Sequence, residues 1–196
     1  MTSHGTREVI CGGQSLEGPT MKNRPVPLVP RFDDFPPILT AQPRWVLWSY
    51  SLKDGKWTKV PKKPDGRNAS TTNAATWCTF DVARTAYGRG GFDGAGIVLT
   101  GEPLGNGLYL IGMDFDHCFN DGVLDEDPRR AIDRLDTYAE ISPSGEGVRL
   151  FLLHDKPIPA RKVNVSDKSR EIYSGGRYLT VTGHTWGQSR EVRHVP

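Results

Sequence analysis

An α+β domain around a mixed or antiparallel sheet is the fold class that the 196-residue sequence predicts. Three observations point to it: six or seven short runs of β-branched, aromatic and aliphatic residues, only two clear helical stretches, and no internal repeat. A chain of this length is one full domain, or one domain with a tail, and can build a real core.

Residues 1–36 are rich in Gly, Pro, Ser and Thr, include Pro25-Val-Pro27 and Pro36-Pro37, and show little periodicity. That composition reads as a disordered or extended leader, with order beginning between Phe35 and Pro43 and the domain proper covering 37–196. Arg44-Trp-Val-Leu-Trp-Ser-Tyr50 is aromatic and β-branched and predicts a strand. Asp54-Gly55 is a hairpin-type turn, leading into a second strand over Lys56–Val60. Thr76–Tyr87 predicts a helix, with Phe80, Ala83 and Tyr87 on one stripe and Gly88 as its stop. Gly96–Thr100 and Gly107–Met113 are apolar strands around a Gly/Pro/Asn loop. Asp127 supplies an N-cap and Pro128 a first helical residue for a helix running to Thr137. Gly147–Leu153, Arg170–Tyr173 and Arg177–Thr182 complete the strands. Gln188–His194 reads as the start of something further, so the sequence is expected to be a fragment of a longer polypeptide.

Composition removes several classes of function. Net charge is only +2, which does not announce a nucleic-acid binder. There is no apolar run of about 18 residues and no basic-then-apolar leader, so a cytoplasmic, reduced protein without a membrane partner is expected. Cys11, Cys78 and Cys118 are widely spaced and form no Cys-x-x-Cys pair, while the histidines are scattered. Structural zinc and a disulfide framework are therefore set aside.

The chemistry concentrates at Gly107-Leu-Tyr-Leu-Ile-Gly-Met-Asp114-Phe-Asp116. Side chains at i and i+2 of a strand leave the same face, so both carboxylates stand side by side. Two carboxylates that close repel, and a divalent cation relieves them. Mg²⁺ or Mn²⁺ held by a few carboxylates points to phosphoryl chemistry. The plain alternative is a strand end turning polar at solvent. An EF-hand fails, because its sixth and twelfth positions counted from Asp114 hold Phe119 and Asp125 rather than Gly and Glu.

Two loops carry further chemistry. Lys53, Lys56, Lys59, Lys62, Lys63 and Arg67 outnumber Asp54 and Asp65, giving either a solvated hairpin face or a patch for DNA or phosphate. Trp45, Trp48 and Trp57 are core residues or stacking surfaces. In Ser142-Pro-Ser144-Gly145-Glu-Gly147-Val-Arg149, glycines permit close backbone approach, and hydroxyls with free N–H groups would cradle an anion. The alternative is an ordinary Gly-rich turn. It is not a Walker A loop, which needs Lys-Ser/Thr after its last glycine.

Taken in order, Asp114-Phe-Asp116, Ser142–Arg149, then Glu171-Ile-Tyr173 with Arg177–His184 resemble the primase-polymerase domains of the archaeo-eukaryotic primase superfamily, in its phage, plasmid and prophage replication branch. Trp45-Val-Leu-Trp-Ser-Tyr, Gly55–Pro61 and Thr76-Trp77 resemble the upstream part, so the likeness spans about residues 36–187. It implies a primase-polymerase fold with an RRM-like catalytic sheet and a smaller α/β N-terminal part. It also implies a nucleotidyltransferase, a primase and/or polymerase using NTPs or dNTPs on single-stranded DNA. By the same resemblance, Asp114, Asp116 and Glu171 are catalytic ligands of a two-metal site for Mg²⁺ or Mn²⁺; should Glu171 prove silent, Asp167 is the next candidate for third ligand. Ser142, Ser144, Gly145, Gly147, Arg149, Tyr173, Arg177 and His184 are nucleotide contacts. Lys59, Lys62, Lys63 and Arg67 remain the DNA or phosphate patch. Arg149 departs from the family's histidine: it keeps a phosphate contact but is always charged. A helicase often follows such domains. The rival readings are a catalytically silent DNA- or nucleotide-binding module and a rolling-circle nicking initiator, the latter lacking its His-x-His.

Overall fold

The computed structural model describes residues 23–165 and 168–196. In chain order the elements are α1 (Pro37–Thr40), β1 (Trp45–Lys53), β2 (Lys56–Lys62), α2 (Phe80–Gly88), β3 (Gly94–Thr100), β4 (Tyr109–Asp116), β5 (Phe119–Asn120), β6 (Val123–Leu124), α3 (Glu126–Leu135), β7 (Ala139–Ile141), β8 (Val148–His154), β9 (Arg161–Val165), β10 (Lys168–Tyr173) and β11 (Gly175–Val181). One sheet has the order β11-β3-β1-β2 and the other β7-β8-β4-β10-β9, with β5 and β6 as a small hairpin. Every strand pairing within them is antiparallel, which makes this an α+β fold of antiparallel sheets.

The Asp54-Gly55 turn sets the first hairpin. Both residues have positive φ, 49° and 73°, the left-handed pair that matches the twist of the flanking strands. Closing on Lys53↔Lys56 fixes the register, and Tyr50 then faces Lys59 and Leu52 faces Trp57. Trp45 at the start of β1 is fully buried, its indole N–H donating to the Leu39 carbonyl at 3.1 Å. It packs among Phe35, Phe80 and Ala83, so α1 and α2 close this part of the core.

The two sheets share that core. Ile97 and Leu99 of β3 and Leu179 and Val181 of β11 pack with Leu110, Phe151 and Leu153 from the other sheet. Gly112 marks the tightest point, where an added Cβ would lie 2.1 Å from Leu179 Cδ1 and 3.1 Å from Leu99 Cδ1. On the far face of the second sheet, Ala131, Ile132 and Leu135 of α3 cover Phe115, Val148 and Leu150.

Several elements differ from the sequence expectation. The second helix starts earlier than Asp127: Asp125 is its N-cap, and Asp127 lies in its first turn. The Asp125 carboxylate makes no capping bond, because Asn120 and Lys168 take it at 2.6 Å each. The helix ends at Asp136 in the left-handed conformation, which a short polar side chain tolerates. The stretch expected as one helix over Thr76–Tyr87 is a 3-10 turn at Ala74–Thr76 followed by α2, with Thr79 as N-cap. The strands β5, β6, β7 and β9 were not anticipated; all are short or lie at sheet edges. β11 joins β3, so the N-terminal strands do not form a sheet of their own. Of the leader, residues 1–22 lie outside the described residues. From Asn23 to Arg31 the chain forms neither helix nor strand but is pinned, Leu28 N–H donating to Pro143 O and Arg31 N–H to Thr182 O, both at 2.8 Å, and a 3-10 turn follows at Phe32–Asp34.

Candidate active site

Alternation along β4 puts Leu110, Gly112, Asp114 and Asp116 on one face. The first two are packed against the other sheet, and the last two open into a cleft of about 700 Å³. The register of the second sheet aligns one residue from each strand in a single row: Glu140, Arg149, Asp114, Glu171 and Lys162. Asp116 stands in the next row beside Ser169. The three acids read from the sequence therefore share one face, Glu171 directly opposite Asp114 on the neighbouring strand.

Each carboxylate has its own protein partner. Arg149 Nε donates to Asp114 Oδ1 at 2.9 Å and Nη2 to Oδ2 at 3.3 Å, while Nη1 donates to the Thr180 hydroxyl. Ser169 Oγ donates to Asp116 Oδ2 at 2.8 Å. Glu171 is held by Lys162 Nζ and the Tyr173 hydroxyl. Burial pushes the Asp114 carboxyl up, aided by Asp116 and opposed by Arg149. Burial also works against the charge on Glu171, but the bonds from Lys162 and Tyr173 win and hold it below its ordinary range.

Glu140 is fully buried and committed elsewhere. It accepts from the Tyr138 hydroxyl at 2.7 Å, from Thr182 N–H at 3.0 Å and from Gly183 N–H at 2.9 Å. Burial raises its pKa against those donors. Its carboxylate fastens the turn after β11 under the leader, where Gly183 (φ 72°) lets the Arg31 carbonyl approach.

The opposite wall of the cleft is Tyr50, Trp57 and Lys59 from the first hairpin, with Tyr178 and Thr180 from β11. Burial lowers the Lys59 pKa, as does Arg149, against the pull of Asp114 and Asp116. Arg177 lies 4.9 Å over the Tyr173 ring at the same cleft. Pro25 and Val26 of the leader reach its edge, and Arg24 joins Asp93 at 2.6 Å.

Of the residues singled out by sequence, the cleft gathers Asp114, Asp116, Glu171, Ser144, Arg149, Tyr173, Arg177 and Lys59. Seven others do not line it: Ser142, Gly145 and Gly147 of the glycine loop, His184, Lys62, Lys63 and Arg67. His184 Nε2 donates to the Val29 carbonyl at 2.8 Å and ties down the leader. Lys62 donates to Asn68, while Lys63 and Arg67 share Asp65, so these three cations pair locally at the end of β2 and in the loop after it. Trp45 and Trp48 are core, and Trp57 alone of that trio reaches the cleft. Asp167 lies outside the described residues. In the glycine loop, Gly145 N–H donates to Ser142 O, Gly147 N–H to Ser142 Oγ and Glu146 N–H to Ser144 Oγ. The loop thus offers the cleft the Ser144 hydroxyl rather than the ring of free N–H donors expected of it. Gly147 has a steric reason, since a Cβ there would sit 2.5 Å from Phe115 O.

Sequence reasoning did not find Tyr50, Ser169, Lys162, Thr180 or Glu140. The hairpin turn points to Tyr50, because its register pairs Tyr50 with Lys59. Ser169 sits two residues before Glu171 and shares its face. Lys162, Thr180 and Glu140 enter through strand pairings that no local signal specifies.

Among the described residues, no three His, Cys, Asp or Glu side chains already form a metal cage. The donor set nonetheless suits a hard cation. Mg²⁺ is bound through one or two carboxylates completed by water and substrate phosphate rather than by an all-protein cage, and Asp114 with Asp116 supplies such a pair.

No protein-family model matches the chain. It is similar to the DNA primase-polymerase of Nitratiruptor phage NrS-1, with 31% identity over 163 residues, covering 80% of this chain and 21% of that protein. The chain thus spans about a fifth of the length of the curated relative it matches.

Proposed function

We propose that this chain is a metal-dependent nucleotidyltransferase, a DNA primase and/or polymerase module that extends a strand on single-stranded DNA. One observation carries the reading: Asp114, Asp116 and Glu171 line one face of a cleft whose other wall presents Lys59, Tyr50 and Trp57. Acids for cations face a cation and aromatic rings for a nucleotide. The similarity to a phage DNA primase-polymerase supports the same class.

Asp114 and Asp116, with Glu171 beside them, would hold Mg²⁺ or Mn²⁺, which supplies Lewis-acid stabilisation of phosphoryl oxygens and a more acidic attacking hydroxyl. The remaining residues bind and orient. Lys59, Arg149 and Arg177 offer positive charge to a triphosphate, and Ser144 adds a hydroxyl donor. Tyr50 and Trp57 bring aromatic surface to the cleft, against which a base would pack. A nucleotide- or DNA-binding module without catalysis is the second reading, favoured by the cation that already neutralises Asp114.

The test is incubation with single-stranded DNA, Mg²⁺ or Mn²⁺ and labelled NTPs or dNTPs, with and without a primer. Product without a primer marks a primase, and product only with one marks a polymerase. Nucleotide or DNA binding with no product under any condition favours the silent module.

A further inference from the structure

Arg149 is 4% exposed and grips both oxygens of Asp114. We infer that Arg149 is the resident counter-ion of Asp114 and passes to the nucleotide's triphosphate when a divalent cation takes that carboxylate, so that metal and nucleotide bind as a coupled pair. This rests on the nucleotidyltransferase reading and adds an order of events that the reading does not contain.

The argument is one of charge. Asp114, Asp116 and Glu171 crowd one face, and each needs neutralising or hydrogen-bonding partners. Glu171 has Lys162 and Tyr173, Asp116 has Ser169, and Asp114, the most deeply buried, has the guanidinium. A divalent cation on the same carboxylate would put three positive charges around one buried group. Their repulsion at low dielectric opposes metal entry for as long as Arg149 stays.

A displaced Arg149 needs another anion. Its neighbour Glu140 cannot serve, because its oxygens are taken by Tyr138, Thr182 and Gly183. Thr180 offers only a neutral hydroxyl and carbonyl. Arg149 does line the cleft, where a triphosphate would bring the missing charge, and its planar fork suits phosphate as well as carboxylate. A neutral histidine at this position would not hold Asp114 in this way, so the coupling follows from arginine at 149.

Two measurements test it. Mn²⁺ binding, followed by electron paramagnetic resonance without nucleotide, should be about tenfold tighter in Arg149→His and Arg149→Met than in the parent, within the usual range of coupling between sites. Equal or weaker binding by folded variants overturns the exchange. In the isotope-labelled parent, at a Mg²⁺ concentration well below that needed to fill the site without nucleotide, the Arg149 Nε–H resonance should hold its position with Mg²⁺ alone and move when a non-hydrolysable deoxynucleoside triphosphate is added. Movement with Mg²⁺ alone, or none with both, also overturns it, and this arm decides if the variants fail to fold. Loss of Mn²⁺ binding in Asp116→Asn, alongside either negative result, leaves the metal reading standing without the exchange. No site-bound Mn²⁺ in parent or variants removes that reading and this inference together.

Discussion

The fold disfavours the charge on Lys59. Burial and Arg149 both disfavour its charge, and Asp114 and Asp116 only partly compensate. A lysine whose folded pKa lies below its unfolded value makes the fold less stable at neutral pH than it would be with that lysine uncharged. Lys59→Met should therefore raise the unfolding midpoint, at about 2–4 °C per kcal/mol for a chain of this size, while weakening triphosphate affinity. A lower midpoint with unchanged affinity would make Lys59 structural. Glu171 has the opposite sign. Its folded pKa is depressed, so its contribution is complete above the unfolded carboxylate value of about 4.3 and fades as pH falls through the lower folded value. The midpoint difference between the parent and Glu171→Gln should accordingly favour the parent near neutrality and shrink below about pH 4. A difference that does not change with pH would detach Glu171 from the Lys162 and Tyr173 pairing.

Elements differ in how much of them the sequence discloses. Asp54-Gly55 names its own turn, and the turn fixes the strand register, so the wall holding Tyr50, Trp57 and Lys59 follows from two residues. The apolar run into Asp114 likewise shows which side chains share a face. By contrast, the row from Glu140 to Lys162 depends on the pairing of five strands, and each pairing is a long-range choice. Local patterning puts Arg149 near Glu140 and Glu146 in sequence, whereas its partner Asp114 is reached only through the pairing of β4 with β8. The helix start was misplaced because Pro128 is compatible with several first-turn positions, and Asp125 caps by its backbone place while its carboxylate serves Asn120 and Lys168. Gly112 is legible only in the packed sheets. Gly112→Ala should cost about 1–3 kcal/mol in chemical denaturation, the usual range for overpacking, since Leu179 and Leu99 must both yield. A cost near zero would mean that the two sheets part more readily than their shared core implies.

At the scale of the molecule, the cleft exists because β11 leaves the neighbourhood of β10 and returns to β3. That crossover carries Tyr178 and Thr180 to the opposite wall and brings Thr182 and Gly183 onto Glu140. No helix among the described residues is long and apolar enough to cross a membrane. Asp116 tests most directly whether carboxylates on β4 and β10 work together on a phosphoryl group, because among the described residues its side-chain hydrogen-bond partner is the Ser169 hydroxyl and its replacement leaves the Arg149–Asp114 pair intact. Primer extension by folded Asp116→Asn, with Mg²⁺ or Mn²⁺ and a single-stranded template, should fall by more than the roughly 10–100-fold that losing an outer-shell partner costs a metal site. Extension at near the parent rate by the folded variant would contradict the account.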